Sequence, residues 1–182
     1  MSISGIVAYS DAIFDRVALG ETFYAAAGGV QTQFKSLMSL GGASIGSQGV
    51  FEGVLFGGVA NFESSKFGGA LAFEKCEFRG TSSFAGMRCN DNLSLFGVEL
   101  ETTTFHAVRV EGNFGFADCT FKQTTDLSYL SISGNLVCSG CHFDGELILK
   151  DCKVRGELNL RSSTLCEVEW PRFHGHAVSL LC

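Results

Sequence analysis

In the stretch "KFGGALAFEKCEFRGTSSF", residues 66 to 84, the phenylalanines fall at 67, 73, 78 and 84, spaced by six, five and six. A helix places apolar residues three or four apart and a strand two apart, so neither rule produces this rhythm. It is also sustained. Cutting after every second apolar anchor yields eleven-residue units: "GGVANFESSKF", "GGALAFEKCEF", "RGTSSFAGMRC" and "NDNLSLFGVEL". A ten-residue unit, "ETTTFHAVRV", follows, and then the eleven returns in "EGNFGFADCTF", "KQTTDLSYLSI", "SGNLVCSGCHF", "DGELILKDCKV" and "RGELNLRSSTL". The register holds from about Phe34 to Leu165.

Each unit has apolar anchors at its sixth and eleventh positions, a smaller apolar or small polar residue two before each anchor, and usually Gly at its second position. An eleven-residue period could close three helical turns. Within a unit, however, an anchor five positions on would lie about 140° around the helix, and the recurrent glycines would each cost roughly 0.5–1 kcal/mol there. A hexapeptide solenoid is excluded by the inserted fives. What remains is a chain that turns a corner every five or six residues with one anchor per side pointing inward. Four sides make a coil of about twenty to twenty-two residues, with Phe62, Phe67, Phe73, Phe78, Phe84, Phe116, Phe121 and Phe143 as its core ladder.

The alternation of Phe, a small residue and Gly at these spacings resembles the pentapeptide-repeat family, in particular its variant with alternating five- and six-residue sides and Phe centres. The resemblance implies an all-β fold, a right-handed quadrilateral parallel β-helix. Coils about 4.8 Å apart would give a rod of roughly 30 Å over residues 34–165. Residues 1–33 are expected to form an irregular N-terminal coil or cap, and residues 166–182 a C-terminal cap or tail. The second-position glycines are expected at a bulge or with φ above zero. The ten-residue unit should shorten the interval between stacking partners by one.

Most residues that could carry chemistry are claimed by this pattern. "CSGCH", Cys138 to His142, has the spacing of a haem attachment motif, but Cys138 is an anchor and Cys141 the small inward residue of the next side. Cys119 and Cys141 share a column while Cys152 belongs to the opposite side, so a zinc site is not expected and core packing is. No phosphate-binding loop, nucleophile elbow or H-E-x-x-H occurs, and His106, His142, His174 and His176 are scattered. The chain is therefore read as a non-enzyme without cofactors. The N-terminus lacks a secretory pattern and the eight cysteines then read as reduced thiols, which together predict a cytoplasmic protein without a membrane span.

Function must then lie on the outward residues. Lys66, Arg88, Arg109 and Lys153 fall on one side of the coil, and Glu77 and Glu99, with Glu74 nearby, on the opposite one. These seven form the candidate interaction surface for a protein partner. The alternative implied by the resemblance is a DNA mimic that binds a type II topoisomerase and confers quinolone resistance. A net charge of −6 argues against direct nucleic-acid binding. The apolar tail around Trp170 and Phe173 suggests capping or a homodimer through the C-terminal end.

Overall fold

The computed structural model describes residues 1–26, 31–169 and 177–179. It is an all-β solenoid in which every strand pairing is parallel and joins one coil to the next. Four sides are traced per coil, taken in chain order from Ser2–Ser4, Val7–Ala8, Ala12–Ile13 and Ala18–Leu19. Among the described residues the first side is a nine-stranded sheet and the fourth a seven-stranded one. The second and third sides form one 14-stranded sheet because the strand His142–Ile148 runs through the corner between them. Among the described residues no helix is long and apolar enough to cross a membrane.

The register follows the sequence period. Phe51 pairs with Phe73 and Phe73 with Leu95, two full eleven-residue units on each time, whereas Leu95 pairs with Phe116, one position short of that interval. The step appears between Glu99, which still keeps the full interval from Glu77, and Thr103, which lies one position closer to Ser82. The missing residue of "ETTTFHAVRV" is therefore absorbed at one corner, between the second and third sides. The ladder also extends upstream of Phe34: Ser2–Ser4 pairs with Tyr24–Ala26 in the ordinary register of two units. The following coil is longer, with Tyr24 opposite Val50 and Val7 opposite Gln33, and its extra length falls between Ala26 and Gln33. At the other end Thr164–Glu169 pairs with His142–Ile148, and Ala177–Ser179 with Glu157–Asn159.

The anchors fill the interior. All eight phenylalanines of the core ladder are at most 1% exposed. Because coils stack in register, rings in one column lie nearly parallel: Phe56 on Phe78 at 4.4 Å, Phe62 on Phe84 at 4.9 Å, Phe121 on Phe143 at 4.5 Å. Neighbouring columns meet edge to face, as Phe62 does with Phe73 at 5.4 Å. Such pairs add about 0.5–1.5 kcal/mol each beyond the area they bury.

The second-position glycines correct the sequence reading. None of Gly58, Gly69, Gly80, Gly112, Gly134, Gly145 and Gly156 has a positive φ. Most are needed because coils touch there: a Cβ on Gly80 would overlap the carbonyl oxygen of Gly58 below, and one on Gly134 would lie 2.7 Å from that of Gly112. The left-handed residues occupy the other two corners. Between third and fourth sides they are Arg16, Gly42, Ser64, Gly86, Ala107, Tyr129 and Asp151; between first and second they include Gly53, Lys75, Gly97, Asp118, Gly140 and Ser162. At the former the Met87 N–H donates to the Phe84 carbonyl at 3.0 Å with Gly86 at φ 67°, the signature of a type II turn.

Candidate interaction faces

Each side of the coil buries two residues and turns the one between them outward, so outward residues one coil apart stand in one row. On the fourth side that row is Lys66, Arg88, Arg109, Ser131 and Lys153, all exposed. Successive members are about one strand spacing, roughly 4.8 Å, apart at the backbone. Among the described residues none of the four cations makes an ion pair. Beside Lys66 and Arg88 lies a hollow of about 250 Å³, lined also by Ser44, Gly46, Gly68 and Asn90. A second, of about 370 Å³, lies between Arg109, Ser131 and Lys153, with Glu111 and Asp151 on its rim.

The opposite side differs in kind. Glu77 and Glu99 share a row, but each carboxylate is met by a cation. Arg79 reaches Glu77 with two bonds, Nε to Oε1 at 2.6 Å and Nη2 to Oε2 at 3.1 Å. Lys122 Nζ lies 3.2 Å from both Glu99 Oε2 and Glu101 Oε1. The acidic row is thus locally neutralised. Glu74 does not belong to it; it ends the first side's strand, stacked on Glu52 and beneath Phe96.

A polar ladder on the third side went unread in the sequence. Ser39 donates to Asp15 and accepts from Asn61 Nδ2 at 2.9 Å, and Ser83 Oγ bonds Glu63 at 2.7 Å. His106 Nδ1 lies 2.8 Å from Ser128 Oγ and 3.7 Å from Asp126 Oδ2. One ring nitrogen faces both partners, so this is not a catalytic triad, in which serine and carboxylate bond opposite nitrogens. The available signal was the spacing: Thr104 and Asp126, like His106 and Ser128, stand one coil apart.

Six of the thiols are packing residues. Cys76, Cys89, Cys119, Cys138, Cys141 and Cys152 are buried and unbridged, and Cys166 is exposed. Burial pushes Cys76 up to about 12 and Cys152 up to about 11, and raises Cys138 as well. Cys119 is held above the ordinary thiol range by its neighbour Cys141 and by burial. Cys152 lies on the fourth side, away from that pair. Among the described residues no three His, Cys, Asp or Glu side chains are grouped to hold a metal ion. His174, His176 and the tail around Trp170 and Phe173, with the C-terminal dimer expected there, lie outside the described residues.

No curated protein and no solved structure matches the chain. Residues 51–99 match a family model described as pentapeptide repeats (9 copies). That stretch spans just over two coils, and the same parallel pairing continues before and after it. Over residues 51–99, therefore, the chain is built of the pentapeptide repeats of that family.

Proposed function

We propose that the chain is a non-catalytic interaction module, a rod that presents rows of polar side chains to a protein partner. The observation carrying this reading is the division of labour along every side of the coil. Inward positions hold the phenylalanines, leucines and buried thiols, leaving only outward rows for recognition. Parallel stacking holds these rows in fixed register, so charge is displayed at low entropic cost. Six thiols used as packing residues of the core fit a reducing, cytoplasmic setting. The duplex-mimic alternative draws little support from the second side, where Arg79 and Lys122 neutralise the carboxylates that would stand in for phosphates.

A photo-crosslinking residue placed in turn at Ser94, Glu99, Ser83 and Arg88, one outward position per side, tests the module reading in cells. Protein adducts concentrated on one or two sides are expected. Adducts at none of the four would refute it. In a supercoiling assay with a type II topoisomerase, with and without a fluoroquinolone, neither inhibition nor protection is expected; either effect would restore the mimic.

A further inference from the structure

We infer that the fourth side is a docking strip for an extended acidic polypeptide segment of the partner, a conclusion that rests on the interaction-module reading. This side carries a row of unneutralised cations: Lys66, Arg88, Arg109 and Lys153 project from one row without an ion pair among the described residues. On the second side the carboxylates of Glu77, Glu99 and Glu101 are each met by a cation, so the contrast lies in the placement of counter-charges and not in net composition.

The relief of the surface fits discrete carboxylates. The hollow beside Lys66 and Arg88 is lined by Gly46 and Gly68, which carry no side chain, and by the polar residues Ser44 and Asn90. A carboxylate in this hollow would meet two cations at once. Four coils separate Lys66 from Lys153, about 19 Å at one strand spacing per coil, which an extended segment of about six residues covers. Its alternate side chains, roughly 6.8 Å apart on one face, would carry three acids along the row. Glu111 and Asp151, on the rim of the second hollow, work against a continuous polyphosphate there, as does the net charge of −6. Separate carboxylates can bind between them.

The test uses a fluorescent twelve-residue peptide of alternating Glu and Thr, its Gln/Thr counterpart, and a duplex DNA of about 20 base pairs, titrated with the full chain at low and moderate salt. The Glu peptide should bind, weaken as salt rises, and lose at least about tenfold in affinity to the double variant Arg88→Glu, Arg109→Glu. The double variant Arg79→Glu, Lys122→Glu, which makes the same change in net charge on the second side, should change affinity less than about twofold. Should the first variant not fold, Arg88→Gln with Arg109→Gln takes its place. Equal losses in the two double variants, equal binding of the Gln peptide, tighter binding of the duplex, or no binding of the Glu peptide at low salt would each overturn the proposal. Crosslinked protein at Ser94, Glu99 or Ser83 but not at Arg88 would refute this strip and leave the module reading standing.

Discussion

Gly80 and Gly115 are both glycines of the same solenoid, yet they answer to different constraints. At Gly80 a methyl group would overlap the backbone of the coil below, while around Gly115 nothing lies within 4 Å. Gly80→Ala should therefore cost on the order of 2 kcal/mol or more, since backbone must shift, and Gly115→Ala should be neutral or slightly stabilising; thermal melts of the two variants compare them directly. The buried thiols make a second residue-scale prediction. Above about pH 8.5 the thiols of the unfolded chain ionise, while folded Cys76 and Cys152 keep their protons to about 12 and about 11. The folded state then binds more protons, so their contribution to stability falls as pH rises, by up to about 1.4 kcal/mol per pH unit for each thiol. Urea midpoints between pH 8 and pH 10.5 should drop, and drop less steeply in Cys76→Val. Valine suits the site because Val54 and Val98 fill the same buried column below and above it.

The corner after Leu100 shows at the level of the element how the coil tolerates a change of length. There the chain reaches the third side one residue early, yet pairing resumes at once, with Thr103 opposite Thr125. Inserting one Gly between Glu101 and Thr102 restores the usual length and should shift the melting temperature by only a few degrees. The same insertion after Lys75, inside a corner with φ 52°, should cost far more, because it displaces the left-handed residue that makes that turn. Legibility in the sequence divides along the same line. Phe67, Phe73, Phe78 and Phe84 announced the coil, because large inward side chains recur wherever a side must be filled. The corner geometry was misread, because a glycine demanded by close approach looks the same in sequence as one demanded by positive φ. Residues with φ above zero such as Lys75, Asp118 and Tyr129 gave no such signal at all. The Lys66 row was legible from spacing, whereas the neutralisation of Glu77 by Arg79 was not, since it depends on where two flexible side chains meet.

For the whole molecule, each coil is held mainly by the coils next to it, so stability accumulates interface by interface. The cations of the fourth side work against that sum, with Lys66, Arg88 and Arg109 about one strand spacing apart and Lys153 two beyond Arg109, and modest repulsion in water. Added salt should then stabilise the protein: the melting temperature should rise between low salt and about 0.5 M sodium chloride, and rise less in Arg109→Gln. An unchanged gain in that variant would mean that the row carries no appreciable strain.

The two kinds of corner make the four long edges of the rod unequal as places to carry information. Along two edges, at glycines such as Gly58, Gly80, Gly134 and Gly156, the neighbouring coil leaves no volume for a Cβ, although Asp91 and Gln123 take the same place in other units. Along the left-handed edges the positions already hold Arg16, Ser64, Lys75, Ala107, Asp118, Tyr129, Asp151 and Ser162, which include basic, acidic, aromatic and small residues in equivalent places. Two edges are thus closed to rewriting at their glycines, and two are open wherever a left-handed position already carries a side chain. Foreign side chains, labels or short recognition motifs grafted onto the open edges would change what the rod displays while leaving the way its coils stack intact.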